Sequence, residues 1–236
     1  TGDDIRLVDW RIYAKRARYY VKQFDDETNL HAWLVLDTSR SIAFAHSTVS
    51  KFDYARMACA SVARLLLRQR DSIGLAMQSP TGPTSIPPRP QPNHFLSICS
   101  ALEGAYPAGE TTVAEQLVNL TPRLKRRGMV AAFSDCFGDL DQLVGAAEQL
   151  RLRGHDVVIF QTLAPEEIHF TFRRPAIFED LEDRRPRLNV TPGAVRRRYL
   201  ERFNEFQQRL QQAMVRIDCD RVTLPADQGL GAALVY

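Results

Sequence analysis

The chain has 236 residues, 44% of them apolar, 25% charged and 9% aromatic, and its 31 basic and 28 acidic side chains leave a net charge of +3. That length can bury a full hydrophobic core, and the composition excludes a disordered, collagen-like or disulfide-scaffold chain. The balanced charge gives no warrant for a nucleic-acid or membrane-surface partner. The longest apolar runs, residues 129–133 and 157–160, are strand-sized and too short to cross a bilayer.

The first buried strand is expected at residues 32–36, where Ala-Trp-Leu-Val-Leu is apolar without alternation, as in a strand covered on both faces. Ser50, with Asp53 three residues on, resembles a capping box, and Tyr54, Met57, Ala58, Val62 and Leu65 continue it at helical spacing. Residues 73–77 form a second strand. Residues 79–92, rich in proline, form a surface excursion. A short helix follows at 95–102. Thr112-Val113-Ala114-Glu115 is a cleaner capping box and opens a helix running to about Arg126. Residues 129–133 make a third strand, and residues 139–153 a helix stopped by Gly154. Residues 157–162 make a fourth strand, residues 192–215 a long helix with Pro192 in its first turn, and residues 221–224 a last strand. Strands alternating with helices predict a single α/β domain over residues 1–236, a mostly parallel sheet with helices on both faces.

The chemistry gathers where the first strand ends, in Asp37-Thr38-Ser39-Arg40-Ser41. Loops past the carboxyl ends of strands line the ligand crevice of open α/β sheets. The spacing i, i+2, i+4 can turn one carboxylate and two hydroxyls, in an exposed loop, toward one point. Such a set suits Mg²⁺ or Mn²⁺ and not zinc. The plainer alternative is that Ser39 and Ser41 only satisfy backbone groups of the loop. Two features favour the metal. The third strand also ends in a carboxylate, Asp135, and Thr111 stands beside a Thr112 already committed to capping, which leaves its own hydroxyl for another task.

Asp37, Ser39, Ser41, Thr111 and Asp135 together resemble the metal-ion-dependent adhesion site of von Willebrand factor A-type domains. The resemblance extends along the chain. The stretches at residues 9–14 (Asp-Trp-Arg-Ile-Tyr-Ala), 20–24, 27–30, 66–71, 107–111, 154–157 and 178–182 are similar to a bacterial family known as domain of unknown function 58. The family resemblance implies a von Willebrand factor A-like (Rossmann-like) fold, a missing upstream segment, and a partner of the MoxR-type AAA+ ATPase class, or its client, in chaperone-like assembly. Within that pattern Arg40 stands where a small residue is more usual, either opposing the cation or holding a partner's acidic group. Cys136 replaces a bulkier apolar residue.

Other features carry less. Cys59, Cys99, Cys136 and Cys219 lack any Cys-x-x-Cys pair, as expected of buried or half-buried thiols in the reducing cytoplasm. His31, His46, His94, His155 and His169 lack paired metal-ligand spacing. No phosphate-binding loop or nucleophile elbow occurs, so no unaided ATP hydrolysis is expected. The arginines at 184–185 and 196–198 lie among acids and suggest a solvated face. The aromatic residues Trp10, Tyr13, Tyr19, Tyr20 and Phe24 are expected to pack on the sheet. The expectation is therefore a non-enzymatic interaction module. The competing reading is a metal-dependent phosphatase with Asp37 as nucleophile, against which Ser39 stands where the acid/base carboxylate is required.

Overall fold

The computed structural model describes residues 29–44, 49–79, 82–107, 111–172, 176–178 and 188–233. The strands are β1 (His31–Leu36), β2 (Ser72–Ser79), β3 (Gly82–Arg89), β4 (Met129–Ser134), β5 (Asp156–Leu163), β6 (Ala176–Phe178), β7 (Leu188–Val190) and β8 (Asp220–Pro225). The helices are α1 (Lys51–Arg68), α2 (His94–Glu103), α3 (Val113–Leu120), α4 (Leu140–Leu152), α5 (Pro165–His169), α6 (Pro192–Arg216) and α7 (Leu230–Ala233).

Six strands form one sheet in the order β3-β2-β1-β4-β5-β8, while β6 and β7 make a separate antiparallel pair. Five of the six are parallel and β3 alone runs antiparallel, on the edge. The apolar run of β1 is continuous because both of its faces are covered. Ala32, Leu34 and Leu36 enter one core with Ala55, Ala58 and Val62 of α1. Trp33 and Val35 enter the other, with Leu117 of α3, Leu143 of α4 and Met214 of α6. Each fully buried aliphatic side chain of this kind contributes on the order of 2 kcal/mol.

Local chemistry accounts for the helix limits. The Ser50 hydroxyl accepts the Asp53 N–H at 3.0 Å and opens α1, and Asp139 accepts from Asp141 and Gln142 to open α4. Beyond α4 the chain reverses at Gly154, whose φ of +83° is the left-handed conformation that favours glycine. Two expectations need correction. The helix opened by Thr112 stops at Leu120 and passes into a single 3-10 turn, Thr121–Arg123, because Pro122 has no N–H to donate and its ring crowds the carbonyl four residues back. The proline-rich stretch after Ser79 contains β3. Pro83, Pro87 and Pro88 are tolerated there because an edge strand leaves half its backbone donors unused by the sheet.

The strand order reverses at β1. The chain leaves β1 to build β2 on one side and returns to place β4 on the other. The carboxyl ends of β1 and β4 therefore lie side by side at the switch point, where open α/β sheets hold ligands. Among the described residues no helix is long and apolar enough to cross a membrane. The aromatic residues expected to pack on the sheet between positions 10 and 24, and His46, Arg184 and Arg185, lie outside the described residues.

Candidate metal centre

Asp37 begins the cluster. Its backbone N–H donates to the Phe133 carbonyl at 2.9 Å, so the ends of β1 and β4 remain paired as the chain leaves the sheet. Its Oδ1 accepts the Ser39 N–H at 2.8 Å, and its Oδ2 accepts the Ser134 hydroxyl at 2.5 Å. These two bonds aim the carboxylate and curl the loop so that the Ser39 and Ser41 hydroxyls stand 3.1 Å apart. Thr38 turns the other way, and its hydroxyl ties the loop to the Gln78 carbonyl of β2 at 2.8 Å. The Ser41 hydroxyl reaches Asp135 Oδ1 at 3.5 Å.

The sequence reading put Asp37 in an exposed loop, and the structure corrects this. Asp37 is 2% exposed and Asp135 not at all. Burial, with the nearby Asp135 charge second, pushes the Asp37 carboxyl up to about 6 despite the bonds from Ser134 and Ser39.

Asp135 is held at a bent chain. Cys136 has φ of 61°, a left-handed conformation that costs a non-glycine residue about 1–2 kcal/mol. The bend lets the Cys136 N–H reach the Ser134 hydroxyl at 2.9 Å and the Phe137 N–H reach Asp135 Oδ1 at 3.0 Å. Gln161 of β5 donates to the Asp135 carbonyl at 3.1 Å. Burial raises the Cys136 thiol far above its ordinary value, so it remains a neutral packing group.

Lys51 completes the arrangement, and sequence reasoning missed it. Its ammonium is 1% exposed and bridges Asp135 Oδ2 and Glu167 Oε1, each at 2.7 Å. The Phe137 ring centroid lies 4.9 Å from Nζ. Burial pulls this lysine's pKa down, but the Asp135 and Glu167 charges outweigh it, so the ammonium stays charged. Glu167 is set by the first turn of α5, where its Oε2 accepts the Ala164 N–H at 2.9 Å. Its carbonyl accepts the Tyr199 hydroxyl of α6 at 3.1 Å. One signal for Lys51 was available in the sequence. A lysine directly after an N-cap opposes the helix dipole, so it needs another partner.

The remaining candidates stand apart. Thr112 is the N-cap of α3, with its box closed by Glu115. It also lines a cavity of about 190 Å³ beside Asp37, Ser39 and Phe137. Thr111 lines a separate outer groove with Glu115 and Gln149 and takes no part in the hydrogen bonds joining the other four candidates. Arg40 is half-buried between the two serines. Cys59, Cys136 and Cys219 are buried free thiols and Cys99 a half-buried one, as expected. His94 is structural, bonded through Nε2 to the Ile73 carbonyl at 2.9 Å.

Among the described residues no three His, Cys, Asp or Glu side chains group as a metal site. The set that does converge is two carboxylates, Asp37 and Asp135, with the hydroxyls of Ser39 and Ser41. All four are hard oxygen donors, which fits Mg²⁺ or Mn²⁺. Asp37 also faces a second carboxylate without an ion-pair partner of its own among the bonds above, and a cation there would offset both the burial and the Asp135 charge that raise its pKa.

The family model described as "Protein of unknown function DUF58" matches residues 1–209. Among curated proteins, the uncharacterized protein Rv1480 of Mycobacterium tuberculosis (strain ATCC 25618 / H37Rv) is 27% identical over 184 residues, covering 77% of this chain and 57% of that protein. The uncharacterized protein Mb1516 of Mycobacterium bovis matches to the same extent. The matched part thus spans little more than half the length of these relatives. Among solved structures, an aerotolerance-related membrane protein from Bacteroides fragilis superposes with a TM-score of 0.54 at 14% identity, covering 87% of this chain and 95% of that one. The SpRpn10 VWA domain superposes with a TM-score of 0.50 at 13% identity, covering 87% and 94%. The fold is therefore von Willebrand factor A-like.

Proposed function

The chain belongs to the DUF58 family, and from that premise we propose that it is a non-enzymatic interaction module that presents a divalent cation, Mg²⁺ or Mn²⁺, to an acidic group of a protein partner. The observation that carries this reading is the convergence of Asp37, Ser39, Ser41 and Asp135 at the switch point between β1 and β4. These four residues would hold the ion, and Thr111 remains the fifth candidate ligand proposed from the sequence.

A divalent ion held by these residues would supply a Lewis-acidic point for a carboxylate. The chain's own residues do the rest. The Ser39 N–H and Ser134 hydroxyl aim Asp37, and the Phe137 N–H and Lys51 aim Asp135. Arg40, between the two serines in sequence, would add a charge-assisted hydrogen bond to the incoming acid. No proton needs to move and no nucleophile is required. By family resemblance the partner is a MoxR-type AAA+ ATPase or its client, met in the cytoplasm.

Calorimetry with Mn²⁺ tests the reading. Wild type binds one ion, and Asp37→Ala binds none. Equal affinity in both proteins would place the ion elsewhere. Pull-down of the ATPase or client in Mg²⁺, lost in chelator and weakened by Arg40→Ala, tests the partner.

A further inference from the structure

The ion site contains a cation of its own, which the metal reading uses only to aim Asp135, a task that needs no positive charge. Lys51 is 1% exposed, yet it spends its ammonium on two acids and bonds the very carboxylate that ends β4. A long, flexible side chain loses up to ~2 kcal/mol of rotamer freedom when so fixed, and burying its charge costs several more. A helix also disfavours a lysine in its first turn. Three costs at one position call for a return that an apolar residue could not give.

We propose that Lys51 sets the affinity of the divalent-ion site: it is a tethered ammonium that occupies Asp135 Oδ2 and withholds part of that carboxylate's charge from the ion. The inference rests on the metal reading above. Asp37 and Asp135 then offer the ion less than two full negative charges, and the serine hydroxyls add none. The chain alone holds the dication weakly. A partner's carboxylate restores the missing charge, so ion and partner bind cooperatively and each raises the other's affinity by the same factor. Glu167 holds the ammonium in place through Oε1, while its second oxygen is anchored to the Ala164 N–H. A unit charge acting on a dication across one carboxylate changes its affinity by roughly tenfold even with the screening of bulk water.

The experiment measures Mn²⁺ binding by calorimetry, and thermal midpoints in chelator and in Mn²⁺, for wild type, Lys51→Met, Lys51→Arg and Asp37→Asn. Lys51→Met binds Mn²⁺ at least about tenfold more tightly than wild type and gains more thermal stability from the ion. Lys51→Arg retains the wild-type affinity. Asp37→Asn, alone or combined with Lys51→Met, binds nothing. Lys51→Met/Glu167→Gln removes one of the two acids left unpaired, and it carries the same comparison if the single variant does not fold. Equal or weaker binding by the methionine variants, still abolished by Asp37→Asn, overturns the role of Lys51 and leaves the metal reading intact. No binding by any of the proteins overturns both.

Discussion

The two ends of the sheet treat charge in opposite ways. At the amino end of β1, His31, Arg123, Lys125 and Arg126 line the larger groove, about 550 Å³, beside Pro87 and Pro88. Its arginines and lysine are exposed, and a solvated side chain is cheap to carry and reveals little. At the carboxyl end the cavity is only about 190 Å³, yet Asp37, Asp135 and Lys51 are each at most 2% exposed. Buried charge costs several kcal/mol per group unless it is paired and hydrogen-bonded. The two ends therefore differ in the desolvation their charged residues sustain, and that contrast is what marks the smaller cavity as the candidate site.

Substitutions at the two ends should therefore diverge sharply. Asp135→Ala strands the buried Lys51 ammonium with Glu167 alone and removes the acceptor of the Phe137 N–H. It should cost about 3–5 kcal/mol in urea unfolding at pH 7; a loss under about 1 kcal/mol would mean that water already reaches the pair.

Asp37→Asn acts in the opposite direction. The folded chain holds the Asp37 proton more tightly than the unfolded chain, with the pKa raised from 3.8 to about 6. The ionised carboxylate therefore costs nothing below pH 3.8, and its cost is complete above about pH 6. In chelator at pH 7, Asp37→Asn should be more stable than wild type by roughly 2–3 kcal/mol, with the gap closing toward pH 4. A constant gap across that range would refute the assignment of the shift to Asp37.

The adjacent threonines separate capping from ligation. Thr112→Ala loses the cap on the Glu115 N–H and should cost about 1 kcal/mol. Thr111→Val should leave stability unchanged, and any loss of Mn²⁺ affinity would bring Thr111 into the coordination set. The smallest effect belongs to the other end of the sheet. Lys125→Ala is expected to stay within about 0.5 kcal/mol of wild type, with Mn²⁺ binding untouched; a larger change would erase the contrast between the ends.

The amino-acid order alone carries what local chemistry and periodicity encode. The continuous apolar runs of β1 and β4 announce strands covered on both faces, because a strand exposed on one side would alternate. Ser50, Thr112 and Asp139 mark helix starts because their side chains satisfy N–H groups two or three residues away. The Asp37-x-Ser39-x-Ser41 spacing shows an oxygen cluster because all its members lie on one tight loop. Pro122 and β3 show where local signals mislead. A capping box says where a helix begins and not where a proline ends it, and a proline-rich stretch still pairs when it needs only one edge.

Tertiary structure decided the rest, because it depends on groups far apart in the chain. Ser134 meets Asp37 across 97 positions, and Lys51 meets Glu167 across 116. Neither meeting has a periodicity to betray it. Burial likewise belongs to the assembled layers. The loop carboxylate at Asp37 is followed by polar residues in sequence, and its desolvation comes with the end of β4 that pairs beside it and the start of α3 that lines the same small cavity. The strand order places those neighbours there, and with them the charge of Lys51 at the carboxylate that the sequence offers to a metal ion.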